Sequence, residues 1–318
     1  MLNFKKVTQP SIGIKCCMVV FAFLLTFKLS AQTDSIRCMS ITFSNDAANR
    51  TNRYYTSGTS FSYMDYRFEN SFLKSIMIQL RNPTYAYCGV GLAQNVYTPD
   101  NPKSTVYNYA DRPYTATLCL SAFYITNSRK KRIRITSSAQ IGVIGSYAWG
   151  KELQDQFNLG RAPNWANQLT NAPIVNYSIT YEKGYVSNKM FELIGKSQAE
   201  VGTLYINAKG GVKIRTGIIR PYFIKHEESN GKFQMYFESE NYMKLMPYDA
   251  TLTGSYLSEN KDALPRSSIK NIVYEGHFSA VLSNKKVRLC ISQHISSPEF
   301  LNAYWNLWMS LKFGYALN

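Results

Sequence analysis

The chain has 318 residues, a formal net charge of +16, and 14% aromatic residues that include 24 tyrosines. Its mean hydropathy is −0.25, and beyond residue 31 no apolar run reaches 18 residues, which excludes transmembrane helices. The basic balance favours anionic partners, although solvated loops and turns account for much of the charge.

Residues 1–31 predict an export signal. Lys5, Lys6 and Lys15 form a basic start, residues 16–25 are an apolar run of ten, and Leu29-Ser30-Ala31 offers a small-residue cleavage site before Gln32. The run is too short for a ~20-residue span, and Lys28 interrupts its end. Cys16 and Cys17 leave with the signal, and no lipobox precedes them. Residues 32–318 then form one domain with a net charge of about +12. Export sets nucleic acid aside and leaves lipopolysaccharide as the anionic partner. Of the remaining cysteines, Cys38, Cys88, Cys119 and Cys290 match no metal motif. Cys88 and Cys119 lie in strand-like runs and read as small apolar wall residues.

In chain order, period-2 alternation predicts strands at 37–44, 59–68, 85–97, 114–125, 132–144, 176–185, 201–218, 232–252, 269–282, 286–295 and 303–315. The 201–218 run reads as two strands turning at Gly210-Gly211, which brings the count to about twelve. A single helix-like segment, 145–158, interrupts this series. The fold class is all-β: a transmembrane antiparallel β-barrel of about 12 strands with one helix in an outer loop, since alternation combined with abundant aromatics marks such barrels. A soluble sandwich or barrel also alternates. With both termini periplasmic, strand parity sends the loops 45–55, 98–113 and 146–173 to one outer rim. The turn at 129–132 goes to the other.

Four segments on or beside that rim occur in order: Asn45-Asp46 with Arg53-Tyr-Tyr-Thr-Ser-Gly58; Ala93-Gln-Asn-Val-Tyr-Thr-Pro99; Asp111-Arg-Pro-Tyr114; and 141–145 through Gly150, Gln154, Asn158, Trp165, Asn167, Gln168 and Asn176-Tyr177. Together they resemble the LpxR-type lipid A 3′-O-deacylases of the Gram-negative outer membrane, over residues 40–185. The resemblance implies a twelve-stranded barrel in that membrane. Its site near the outer leaflet would hydrolyse an acyl ester of lipid A with calcium. Carried over by motif, the catalytic positions are Asn45, Asp46, Thr56, Gln154 and Asn158. Asp46 is also the expected calcium ligand, because calcium takes hard oxygen donors. The expected partners are lipid A or lipopolysaccharide and the outer membrane, with the barrel acting as a monomer.

One position departs from the family. Its histidine is Asn158 here, and a neutral amide cannot accept the proton that ester hydrolysis by water must shed. Asp155 is the nearest replacement base, since positions 155 and 158 are helix neighbours, although an ordinary aspartate is a weak base. His226, His277 and His294 read as lumen or solvated residues. Asn-Asp is also good turn chemistry, Asp111-Arg112 also reads as a structural loop ion pair, and Lys103 as a solvated loop residue. No GxSxG, HExxH, Walker A or Rossmann pattern occurs. Three readings stay open: a lipid A acyl hydrolase, a catalytically silent barrel among lipopolysaccharide, and a small pore.

Overall fold

A computed structural model describes residues 37–46, 49, 53–65, 67–68, 71–102, 104, 108–157, 165–224 and 233–317. The expected signal segment, Lys103, Asn158 and His226 lie outside the described residues. Twelve strands follow in order: β1 (Arg37–Asn45), β2 (Tyr54–Asp65), β3 (Tyr85–Thr98), β4 (Thr115–Ser128), β5 (Ile133–Ile144), β6 (Ala172–Ser187), β7 (Phe191–Gly202), β8 (Tyr205–Ile218), β9 (Gln234–Asp249), β10 (Ile272–Ser283), β11 (Val287–Ser296) and β12 (Asn306–Leu317). Each pairs antiparallel with the next, and β1 pairs with β12, so the sheet closes into a barrel with no free edge. Among the described residues, three short α-helices punctuate it: α1 (Leu73–Ile76), α2 (Gly150–Phe157) and α3 (Ala250–Thr253). Among the described residues, no helix is long and apolar enough to cross a membrane.

Two expectations need correction. The run at 201–218 is not two strands. Gly210 and Gly211 lie inside β8, and the turn falls at 203–204, after a strand β7 that periodicity did not reveal. A Cβ on Gly211 would come within 2.7 Å of the Tyr242 ring, so this glycine makes room for an inward tyrosine rather than for a turn. β7 escaped notice because its outward side is interrupted by Ser197 and its inward side carries Glu192, Lys196 and Glu200. The helix is also shorter than 145–158. Residues 146–148 form a 3-10 turn, Trp149 takes a left-handed conformation at φ 56°, and α2 starts only at Gly150.

The alternation sorts side chains onto two faces. Leu92, Leu120, Ile141, Val175, Phe237, Met243, Phe278 and Leu311 point outward and are exposed, the pattern of a lipid-facing wall. The inward face is charged and closely paired. Lys213 meets Glu240 at 2.8 Å and Glu182 at 3.4 Å, Lys209 and Lys244 share Glu275, and Arg215 pairs with Glu192. Loops reach inward at both ends. At the rim beside the termini, Tyr222 donates to Glu182 and Arg134 lies over its ring at 4.1 Å. At the opposite rim, Leu252, Leu264 and Phe300 fold inward onto Met246 and Val273, together with Tyr54.

Candidate functional site

Strand parity places the β1–β2, β3–β4 and β5–β6 connections on the rim opposite the termini, as alternation predicts. Four of the five carried-over positions are described there. Asn45 ends β1, exposed on the outward face that it shares with Phe43. Asp46 follows, only 1% exposed. Its Oδ2 accepts the Arg53 backbone N–H at 2.6 Å, and its own N–H donates to the Thr56 carbonyl at 3.3 Å. The Asp46 carboxylate therefore ties the end of β1 to the start of β2.

Thr56 owes its orientation to a β-bulge. The β2–β3 register runs Tyr55 to Tyr97 and then Ser57 to Val96, leaving Thr56 as the extra residue. Bulges re-aim a side chain and recur beside active sites. Here the Thr56 hydroxyl meets that of Thr98 at 2.7 Å in a fully buried contact. Nearby, Tyr54 holds a φ of 63°, unusual for a bulky residue. It is retained by an edge contact with Phe300 and by the Tyr304 N–H, which donates to its hydroxyl at 3.1 Å.

The helix lies on the outside of the barrel. Val96 and Ala116 are outward residues of β3 and β4, and they pack with Tyr114, Ala148 and Trp165, with Leu118, Val143 and Leu153 at the margin. A Cβ on Gly150 would lie 2.5 Å from Ala116 and 2.8 Å from the Trp165 ring, so only glycine allows this close seat. Gln94 fixes the preceding turn by donating to the Ala148 carbonyl at 2.6 Å. Trp165 packs the loop onto the rim and donates its indole N–H to Gln154 Oε1 at 3.2 Å. That bond settles the amide orientation, leaving the Nε2 group as the donor end. Gln154 is 6% exposed.

The site residues are thus linked through the outer wall. Asn45 pairs with Ser57, Ser57 with Val96, and Val96 shares a packed cluster with the tryptophan that holds Gln154. Asp155, the expected replacement base, is exposed while Gln154 beside it is buried. His277 and His294 face each other in the lumen with ring centroids 4.7 Å apart, inside the barrel wall and away from the helix.

Asp111 and Arg112 serve the loop's structure through separate partners rather than as the expected ion pair. Asp111 accepts backbone N–H groups from Asp100 at 2.9 Å and from Arg112 at 2.7 Å. Burial raises its carboxyl above the usual range, against the pull of those two hydrogen bonds. Arg112 reaches into the lumen, bonding Glu299 at 2.7 Å and Thr251 at 2.6 Å over the Tyr97 ring. Burial alone would lower its pKa. The charges of Glu299 and Asp249 more than offset this and raise it. Three participants escaped the sequence reading: Thr98, Gln94 and Arg53, whose guanidinium pairs with Asp100 at 3.0 Å. All three fall within the matched segments, but alternation carries no signal for which hydroxyl or amide meets which partner.

Among the described residues, no disulfide joins Cys38, Cys88, Cys119 or Cys290, and Cys88 and Cys119 are buried. Among the described residues, no group of three or more His, Cys, Asp or Glu side chains gathers as a metal site. A cation at Asp46 would therefore complete its shell with neutral oxygens. Calcium accepts carbonyl, amide and water donors of that kind, so the donor set fits it in kind.

A closed twelve-stranded antiparallel barrel with an apolar outer wall, a paired charged interior and a loop helix seated outside its rim is an outer-membrane β-barrel. The chain belongs to the LpxR family: the model of that family, described as outer membrane protein LpxR, matches residues 17–317. Its place is accordingly the outer membrane of a Gram-negative bacterium. LpxR from Salmonella typhimurium shares the fold at a TM-score of 0.70 and 16% identity, covering 87% of this chain and 99% of that one. The β domain of the Bordetella autotransporter BrkA aligns at a TM-score of 0.46 and 10% identity, covering 89% and 99%. The COG4313 outer-membrane channel from Pseudomonas putida F1 aligns at 0.41 and 7%, covering 90% and 97%. No curated protein matches the chain by sequence.

Proposed function

We propose that this protein binds lipid A at the outer wall beside α2, with the 3′-acyl ester at Asn45, and that its hydrolytic machinery lacks the general base. The observation that carries this reading is the buried Thr56–Thr98 contact and the Trp165-locked Gln154 on one rim with Asn45 and Asp46. Asn45 and the Nε2 group of Gln154 are neutral donors, suited to stabilising the oxyanion that forms when an ester carbonyl is attacked. Asp46 is the residue that would hold calcium, which would polarise the carbonyl when bound. What the chain does not supply is a proton acceptor. Asn158 occupies the position of the family histidine, and loss of a positioned base typically removes ~10²–10⁴-fold in rate.

Purified protein incubated with lipid A and calcium, with the product weighed by mass spectrometry, tests this. The wild type should release little or no 3′-acyl chain. Asn158→His should raise release by at least about 100-fold, and Asp46→Ala in that background should abolish it. Robust wild-type activity would show that the base lies elsewhere, and Asp155→Asn would then test the neighbouring carboxylate. If neither wild type nor Asn158→His cleaves lipid A, the chain is a silent barrel among lipopolysaccharide. The pore reading has less support, because ion pairs and inward loops occupy the lumen.

A further inference from the structure

The outer wall carries a groove of about 340 Å³ on the β8–β12 side, lined almost wholly by apolar atoms. Phe237, Phe278 and Ile291 form its raised walls, all substantially exposed. Its floor is made of shorter side chains, Ser239 and Ala280. Gln293 and Ser239 on this face are paired along the wall. Gln293 Nε2 donates to the carbonyls of His294 and Trp308 at 2.9 and 3.2 Å. Ser239 accepts from Asn241 at 2.9 Å, and Asn241 in turn accepts from the Tyr274 hydroxyl at 2.6 Å. A membrane-facing surface with paired polar groups admits hydrocarbon without a desolvation penalty.

The groove starts one strand from Asn45. Asn45 pairs with Met309, Met309 with Gln293, Gln293 with Phe278, Phe278 with Ser239, and Ser239 with Ile214. Directly paired residues share a face of the sheet, so these six form one continuous outward row, and all but Asn45 line the groove. The row also descends. Asn45 is the last residue of β1, Met309 is near the rim end of β12, Phe278 is midway along β10, and Ile214 is near the far end of β8. This is the consequence of strand tilt in a closed barrel. A path therefore leads from the rim position of Asn45 down the membrane-facing wall.

We propose that this groove holds one acyl chain of the lipid A molecule whose ester lies at Asn45, an inference that rests on the function proposed above. The occupant follows from placement: the groove lies on the membrane-facing wall of an outer-membrane barrel, and its rim end, at Met309, pairs with Asn45 of the site. Its size sets the length. A cavity of ~150 Å³ takes a six-carbon benzene, so this groove takes roughly a dozen carbons. Because lipid tails are as apolar as the wall, packing rather than hydrophobic transfer distinguishes chains. The groove therefore acts as a ruler and contributes little to overall affinity.

The test is binding of a chain-length series of synthetic lipid A to the detergent-solubilised barrel, read by native mass spectrometry. The wild type should show an optimum near a dozen carbons. Ala280→Trp and, independently, Ser239→Phe fill the floor and should move the optimum several carbons shorter, weakening the original best binder about ten-fold. Phe278→Ala should move it longer. Val175→Trp, on the outer wall outside the groove, should leave the profile unchanged. A flat wild-type profile with binding intact overturns the groove alone, as does an unshifted profile in the filled variants or an equal shift with Val175→Trp. Absence of lipid A binding overturns the proposed function as well. Binding needs no turnover, so a failure of Asn158→His to cleave leaves the groove standing.

Discussion

At the scale of single residues, the site depends on a few buried polar contacts that are unforgiving of change. The Thr56 and Thr98 hydroxyls satisfy each other where water does not reach. Thr98→Val keeps the shape but leaves the Thr56 hydroxyl without that partner, and should cost about 1–3 kcal/mol. Urea unfolding from lipid vesicles, compared with Thr126→Val at a buried position near the opposite rim, measures whether the loss is specific to the bulge. The same logic applies to Asn158. Asparagine can hydrogen-bond where histidine would, so the fold tolerates the exchange while the proton-transfer step does not. A restored histidine should therefore raise the rate of 3′-ester release while leaving the unfolding midpoint unchanged. Equal unfolding midpoints beside unequal rates would separate chemistry from folding.

At the scale of elements, the helix α2 is held by shape and by one amide. Its first residue, Gly150, sits against Ala116 and Trp165. Gly150→Val forces the helix off the wall, at a cost of about 1–3 kcal/mol for overpacking. The barrel itself should stay closed, because its strands pair without the helix. Limited trypsin digestion should then cut at Lys151, exposed on α2, several-fold faster in the variant. The barrel band should keep its heat-modifiable migration. Unchanged cleavage would mean that the loop is held elsewhere, for instance through Asn171, which receives the Ser146 hydroxyl and the Tyr147 N–H.

At the scale of the whole molecule, the barrel is a wall rather than a conduit. Ion pairs bridge β6, β7, β8 and β9 across the interior, and loops reach inward at both ends. Purified protein in a planar bilayer should show no steady conductance. A stable open channel would place function in the lumen instead of on the outer face. The chain recovered from cells should begin near Gln32 and fractionate with the outer membrane, which N-terminal sequencing of that fraction checks.

Alternation of small and bulky residues located eleven of the twelve strands and, with both termini periplasmic, the rim on which the motifs meet. Those properties follow from a side-chain period of two and from strand parity, both local to the chain. Periodicity failed where the interior is charged rather than apolar: the inward face of β7 carries Glu192, Lys196 and Glu200 into a lumen of counter-charges, and Ser197 interrupts its outward face. The site was legible as a set of positions, Asn45, Asp46, Thr56 and Gln154, because each sits in a matched motif. Only the tertiary structure decided that α2 lies outside the wall, that a bulge turns Thr56 onto Thr98, that Trp165 fixes the Gln154 amide, and that a descending row joins Asn45 to a groove five strands long. Those facts depend on which residues of distant strands come into register, and register is a property of the closed sheet rather than of any segment within it.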